Sequence, residues 1–215
     1  MFNHLSVASA FSFKYGTTQP HDLVARAAQF GAPALAITDR DSLAGVIRFV
    51  QAAKDFGIAP IVGVNLALDN SRVTLLAQSG TGTDSGWRSL CRLMSALRPD
   101  RNPPNLHLEK IKTLSEYTSN LILLHGPDSQ IANLITKHRP DQALHEFNKY
   151  RPYFADSVIE CVSHLAPGDG PRSTGHAGRM LGFARDHDLP AVITNGVRML
   201  DAADGPVADI LDAAR

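Results

Sequence analysis

The sequence lacks the features that mark secreted and membrane proteins. Its 215 residues include only two cysteines, Cys91 and Cys161, which are too few for a disulfide framework or for a zinc site built on thiolates. No apolar stretch reaches the roughly 18 residues that a membrane-spanning helix needs. The first residues also lack the basic segment and apolar run of a secretory signal. We therefore expect a cytoplasmic protein without a membrane partner.

An excess of charge of either sign is also missing. The 21 lysines and arginines balance 21 aspartates and glutamates, so the formal net charge is zero. Without a positive field, the chain is not steered towards nucleic acid. A glycine-rich loop of the phosphate-binding kind is absent as well. The composition therefore does not favour a module that binds DNA by itself.

What the sequence does contain is an alternation of short apolar strands and amphipathic helices. The stretch 34–45 shows this most clearly, because apolar residues 34–37 predict a strand and Asp41 or Ser42 is a suitable N-cap for a following helix. The residues expected on the buried face of that helix are Leu43, Val46, Ile47, Val50 and Ala53. The stretch therefore predicts a strand, a polar corner and a helix.

The same order continues along the chain, whose length suits one substantial domain. A first strand is expected at residues 4–8, and an exposed proline-rich loop at residues 98–105. Because strands and helices alternate with little hairpin signal, the sequence predicts an α/β protein with a largely parallel sheet, either open or closed into a barrel.

Polar and small residues that directly follow the predicted strands form the candidate site, because ligands of α/β proteins bind at the carboxyl ends of strands. These residues are Ser6, Ala8, Asp39, Arg40, Asn65, His125, His164, Asn195 and Arg198. A catalytic divalent metal needs several imidazoles and carboxylates in one place. The residues that could supply them are Asp39, His125, Glu160 and His164.

Four segments, in order along nearly the whole chain, carry a family resemblance. They read HLSVASAFSF from His4, ALAITDRDSLAGVIRF from Ala34, IAPIVGVNLAL from Ile58 and LPAVITNGVRML from Leu189. They resemble the PHP (polymerase and histidinol phosphatase) domain at the N-terminus of bacterial DNA polymerase III α subunits, the C family. The SLAG and FSF motifs are more similar to those of the error-prone branch of these polymerases than to those of the replicative branch.

The resemblance implies a fold and a cofactor. The fold is a distorted seven-stranded β/α barrel, similar to a TIM barrel, and residues 1–215 would form a single PHP domain of a longer polymerase chain. Metal-bearing members of the family hold a trinuclear zinc or manganese cluster at the carboxyl ends of the strands.

Most ligand positions of those members hold other residue types in this chain. Ser6 and Ala8 replace a His-x-His pair, Tyr15 replaces an Asp, Arg40 replaces the His of Thr-Asp-His, Asn65 replaces a Glu, and Gly196 and Arg198 replace a closing Asp-x-His. Only Asp39 and His164 stand where the family has ligands. Alanine and glycine offer no donor atom, and arginines put fixed positive charge where cations would lie. We therefore expect no metal cluster, no other cofactor and no catalytic residue, only a vestigial cleft in which Asp39 pairs with arginine.

Three hypotheses about function follow. The first is a catalytically inactive PHP domain that serves as a structural and interaction module of a polymerase α subunit, with the remaining polymerase domains and a proofreading exonuclease subunit as partners. The second is a metal-dependent phosphoesterase or 3′–5′ exonuclease with a reduced site at Asp39, His125, Glu160 and His164. The third is a free-standing enzyme for a small anionic metabolite, with Arg40 and Arg198 as clamps.

Overall fold

A computed structural model describes residues 2–78, 85–97 and 104–214. The chain divides into two compact units, one formed by Met1–Asn65 with Asn195–Arg215 and the other by Leu66–Thr194. We call them unit 1 and unit 2. Most of the predicted loop at 98–105 lies outside the described residues.

Unit 1 contains a short parallel strand pair covered by helices. Its elements are α1 (Pro20–Gln29), β1 (Ala34–Ile37), α2 (Val46–Asp55), the first part of β2 (Ala59–Leu68) and α9 (Gly205–Ala213). The parallel register of β1 on β2 pairs Ala34 with Ala59 and Ile37 with Val62. Val24, Leu35 and Phe49 lie in the core between these strands and the two helices α1 and α2. This core holds the carboxyl end of β1, where the candidate site begins.

The first strand predicted at residues 4–8 is not continuous. This segment makes two isolated parallel bridges instead, from His4 to Leu35 and from Val7 to Val197. The amide of Val7 donates to the side-chain hydroxyl of Thr38 at 2.8 Å, so a side chain takes the place of a ladder partner. Residues 4–8 are therefore extended without forming a regular strand.

The helix predicted after Asp41 or Ser42 starts later than expected. Helix α2 begins at Val46 with Gly45 as its N-cap, and its buried residues are Val46, Phe49, Ala52 and Ala53. Ile47, which was expected to be buried, is 72% exposed. The prediction followed apolar residue type, but Phe49 and the alanines fit against the strand pair, which rotates the buried face away from Ile47.

Unit 2 contains most of the sheet. Its strands are the end of β2, then β3 (Ser71–Ala77), β4 (Asn105–Leu106), β5 (Leu121–His125), β6 (Asp156–Val162) and β7 (Ala191–Thr194). Hydrogen bonds link the seven described strands in the order β1-β2-β3-β5-β6-β7, with β4 paired to β2. The pairs β5–β6 and β6–β7 are parallel, and β3 runs antiparallel to β5. The prediction of a largely parallel sheet is confirmed, with β3 as the exception.

Helices cover the strands of unit 2. They are α3 (Gly86–Ala96), α4 (Leu108–Thr113), α5 (Ser115–Thr118), α6 (Gln130–Thr136), α7 (Pro140–Tyr150) and α8 (Thr174–Asp186). Ile131, Phe147 and Met180 from α6, α7 and α8 pack with Ile159 of β6 in one buried core. Within the ranges that the structure describes, we find no helix long and apolar enough to cross a bilayer.

Candidate functional site

Asp39 follows β1 and is buried in a pocket of serine donors. Its Oδ1 accepts hydrogen bonds from the amide of Ser9 at 2.6 Å and from the hydroxyl of Ser12 at 2.8 Å. Its Oδ2 accepts from the hydroxyl of Ser9 at 2.9 Å. A Cβ at Gly45 would lie 2.8 Å from Oδ2, so the glycine of the SLAG motif leaves room for this carboxylate. Asp39 thus ties the loop at 9–12 to the end of β1.

Burial sets the electrostatics of Asp39. Desolvation raises the pKa of its carboxyl above the ordinary value of 3.8, and the hydrogen bonds from Ser12 and Ser9 oppose that rise. The hydroxyl of Ser12 also accepts from the amide of Arg40 at 2.9 Å. The expected pairing of Asp39 with arginine is wrong, because both carboxylate oxygens are held by serine donors.

Arg40 and Arg198 are brought together by Tyr15. The guanidinium carbon of Arg40 lies 3.4 Å from the centroid of the Tyr15 ring, and that of Arg198 lies 4.5 Å from it. Arg198 also donates to the carboxylate of Asp212 at 2.7 Å and to the carbonyl of Ala208 at 3.0 Å. An aromatic face stabilises a cation by about 0.5–2 kcal/mol. The three side chains therefore form a stacked cluster whose charges are partly satisfied by the protein itself.

Other predicted site residues of unit 1 contribute through their backbone. The carbonyl of Ser6 accepts from Val197 at 2.9 Å, and the amide of Ala8 donates to Val197 at 2.8 Å. The amide of Asn65 donates to the carbonyl of Asp39 at 3.0 Å. These bonds hold the carboxyl end of β1 between its neighbours.

Glu160 is a buried carboxylate of unit 2. Its Oε1 accepts from the hydroxyl of Thr194 at 2.6 Å. A Cβ at Gly126 would lie only 2.3 Å from Oε2, so the carboxylate packs directly against the backbone at that glycine. Glu160 therefore links β6 to the ends of β5 and β7.

His125 lies on the other face of the sheet from Glu160. The parallel register pairs His125 with Ile159, and side chains alternate faces along a strand, so Glu160 points the opposite way. The ring of His125 packs 5.4 Å from that of Phe147, between sheet and helix. Its Nε2 is buried without a hydrogen-bond partner, and desolvation lowers its pKa from 6.5 to about 3. The structure thus places His125 in the apolar core and separates it from Glu160.

The remaining two predicted site residues are exposed. His164 follows β6, and its amide donates to the carbonyl of Arg172 at 2.8 Å. Asn195 follows β7. Neither side chain is buried in the way that Asp39 and Glu160 are.

These residues do not fit a metal cluster. Among residues 2–78, 85–97 and 104–214, no three His, Cys, Asp or Glu side chains are grouped so that they could hold a metal ion. Within unit 1, Asp39 has serine neighbours, while Ala8 offers no donor. Within unit 2, His125 and Glu160 face opposite sides of the sheet. The donor set that a trinuclear site requires is therefore not assembled in either unit.

Sequence reasoning missed the residues that hold the two buried carboxylates. Ser9, Ser12 and Thr194 donate the hydrogen bonds, and Gly45 and Gly126 allow the close approach. A signal existed in the sequence, because Ser9, Ser12, Gly45 and Thr194 lie in the segments that carry the family resemblance and Gly126 directly follows β5. This signal was not used in the prediction, because neither glycine nor serine is a preferred metal ligand.

Comparison with protein families matches residues 4–164 to the PHP domain. An error-prone DNA polymerase of Symbiobacterium thermophilum is 34% identical over 235 residues, covering 100% of this chain and 21% of that polymerase. The DNA polymerase III subunit alpha of Buchnera aphidicola is 34% identical over 221 residues, covering 94% of this chain and 18% of that subunit. The chain thus spans about a fifth of the length of these curated relatives.

The fold is shared with a solved structure as well. A candidate metal-dependent phosphoesterase from Bifidobacterium adolescentis superposes with a TM-score of 0.59 at 14% identity, covering 91% of this chain and 87% of that one. At this identity the likeness concerns the fold. It confirms the predicted class, an α/β fold of the distorted seven-stranded β/α barrel type.

Proposed function

Because the chain belongs to the PHP domain family, we propose that it is a non-hydrolytic structural and interaction module of a cytoplasmic, bacterial C-family DNA polymerase α subunit. Support comes from relatives that are themselves DNA polymerases and about five times as long as this chain. DNA synthesis would belong to the parts of the parent protein that follow. In this role the domain contacts DNA only through that parent.

The observation that carries the proposal is the state of Asp39. A carboxylate that ligates a metal must direct an oxygen lone pair at the ion, whereas three of the roughly four acceptor sites of Asp39 are used by hydrogen bonds from Ser9 and Ser12. Two guanidinium groups on the ring of Tyr15 add fixed positive charge within the same unit. Such an arrangement supports a site in which protein cations and hydroxyls replace metal ions.

The branch of the family and the partners are part of the proposal. We assign the parent to the error-prone branch, because the error-prone relatives match 100% of this chain and the replicative subunits match 94% or less. The proposed partners are the remaining polymerase domains, and a proofreading exonuclease subunit where one is present.

Elemental analysis of purified, tag-free protein tests the proposal. We expect less than about a tenth of a zinc, manganese or iron ion per chain, both as purified and after soaking with metal and desalting. Assays with phosphomonoesters and 3′-ended single-stranded DNA should show no hydrolysis. Stoichiometric metal that is lost in an Asp39→Asn variant, together with hydrolysis, would contradict the proposal and favour a reduced metal-dependent site.

A further inference from the structure

A cavity of about 180 Å³ lies within unit 2, beside the first turns of α6 and α8. Three of the residues that line it are buried: Ser129, Ala132 and His176. The described residues of its lining include none of the predicted site residues. A cavity of about 150 Å³ is large enough to hold benzene. The cavity of unit 2 therefore has space for one six-membered ring.

The imidazole of His176 has an unsatisfied hydrogen-bonding atom. His176 is 1% exposed, and its Nδ1 has no hydrogen-bond partner among the described residues. The carbonyl of Ala132 forms a hydrogen bond with the ring, and a carbonyl only accepts. We therefore assign the N–H of the neutral ring to Nε2 and the unused lone pair to Nδ1. A buried acceptor without a donor is rare in folded proteins, so Nδ1 points to a ligand that donates.

The surroundings keep this imidazole neutral and leave the cavity almost uncharged. Burial lowers the pKa of His176 below 6.5, and the charges of Arg179 and Arg172 act in the same direction. The carbonyl of Ala132 and the charge of Asp128 oppose this decrease. Asp128 is the one charged side chain among the described residues that line the cavity, and Arg172 donates to its carboxylate at 2.5 Å. A lining of this kind favours an uncharged ligand over an anion or a cation.

The rest of the lining combines amide groups with apolar surface. The exposed side chains of Asn70, Gln130 and Asn133 each present an N–H donor next to a carbonyl acceptor. An amide can pair with a ring edge that carries an N–H beside a C=O, giving one hydrogen bond and accepting another. Pro127 and Pro171 add apolar surface against which a flat ring can pack. The lining therefore matches a small, flat, uncharged ring with N–H and C=O groups.

We propose that this cavity, which we call the His176 cavity, binds a single neutral pyrimidine base whose N–H donates to Nδ1 of His176. Uracil and thymine have the required edge, because a ring N–H lies between two carbonyls. The exposed amides of the lining pair with those carbonyls. The same edge is presented by a free base or nucleoside and by an unpaired base of a single strand. The inference goes beyond the proposed function and does not depend on it.

Nitrogen NMR of the 215-residue chain, labelled with ¹⁵N in histidine, tests the proposal with uracil as the probe. We expect the Nδ1 resonance of His176 to move and to saturate, with a Kd of about 1 mM or lower. Dimethyluracil, methylated at both ring nitrogens, keeps the ring and the carbonyls but has no N–H to donate. It should leave the resonance in place. The proposal is overturned if uracil does not move the resonance, or if both compounds move it equally.

A pair of surface substitutions tests the lining without disturbing the core. Gln130 and Asn133 are exposed on α6 and line the cavity. Gln142 and Asn148 are exposed on α7 outside it, and they provide a matched control. The double variant Gln130→Ala/Asn133→Ala should weaken uracil binding at least about fivefold through lost hydrogen bonds. Gln142→Ala/Asn148→Ala should leave it unchanged, and equal affinities of the two double variants would contradict the proposal.

Two further titrations decide the class and the source of the ligand. Inorganic phosphate should not move the Nδ1 resonance of His176, and a saturable shift with phosphate but not with uracil would make the cavity an anion site and overturn the proposal. Thymidine and oligothymidylate are then compared at equal concentrations of base. Tighter binding of the oligomer would assign the ligand to a single strand, and equal binding would assign it to the free nucleoside; both results support a base-binding cavity.

Discussion

At the scale of single residues, the buried carboxylate of Asp39 organises one strand end. We expect Asp39→Ala to reduce the free energy of unfolding by about 3 kcal/mol, because the donors of Ser9 and Ser12 would lose a charged acceptor. Urea unfolding measures this, with Asp55→Ala on the exposed end of α2 as a control that should change stability by less than about 0.5 kcal/mol. A stable Asp39→Ala protein that has lost a hydrolytic activity would contradict the structural role.

His125 predicts a dependence of stability on pH. Its pKa is about 3 in the folded protein and 6.5 in the unfolded chain, so between these values only the unfolded chain binds the proton. The contribution of neutral His125 to the free energy of unfolding is therefore complete above pH 6.5 and is lost as the pH falls towards 3. The loss should reach about 3 kcal/mol between about pH 7 and about pH 4.

A substitution assigns that pH dependence to His125. The variant His125→Leu keeps an apolar contact with Phe147 and should show about 3 kcal/mol less change in unfolding free energy over this pH range. His145→Gln, on the exposed side of α7, serves as the control and should retain the full change. If the pH dependence of the unfolding free energy is unaltered in His125→Leu, the imidazole of His125 is not buried in its neutral form.

The stacking of Arg40 and Arg198 on Tyr15 gives a further prediction for one side chain. Tyr15→Ala removes both cation–ring contacts and should cost about 2 kcal/mol of stability. Tyr15→Phe keeps the ring and should cost less than about 1 kcal/mol. Thermal and urea unfolding of the two variants measure the difference. Equal losses would indicate that the hydroxyl, and not the ring face, is the important group.

At the scale of elements, two glycines should respond in opposite ways to alanine. Gly126 ends β5 against Glu160, and a Cβ there would lie 2.3 Å from Oε2, so Gly126→Ala should destabilise the protein by about 2 kcal/mol. Gly182 lies within α8 with no atom within 4 Å of an added Cβ. Gly182→Ala should therefore stabilise the protein by about 0.5–1 kcal/mol. Differential scanning calorimetry compares the pair, and destabilisation by Gly182→Ala would contradict the packing of α8.

At the scale of the whole molecule, added metal should leave thermal stability unchanged. A site with a dissociation constant of about 1 µM would raise the free energy of unfolding by about 4 kcal/mol at about 1 mM Mn²⁺, and the Tm by roughly 8–16 °C. We expect a shift below about 2 °C, with EDTA-treated protein as the reference. A large shift that Asp39→Asn abolishes would reveal a metal site.

The sequence by itself determined the family, the α/β class and some of the elements. The apolar run at residues 34–37 was enough to predict β1 at its observed position, because such a pattern acts over a few neighbouring residues. Family motifs were enough to predict that Ala8 and Arg198 stand where metal-bearing members of the family have ligands.

Tertiary structure alone decided how the site residues are used. His125 is paired with Ile159, one position before Glu160, so His125 points into the apolar core and Glu160 points to the opposite face of the sheet. The apolar pattern of a buried strand does not reveal which of its side chains point to which face. Asp39 is bonded to Ser9 and Ser12, which are about 30 residues away in sequence, because the end of β1 lies beside that loop. The physical reason is the same in both cases: residue type sets which interactions a side chain can make, and packing between distant segments sets which ones it does make.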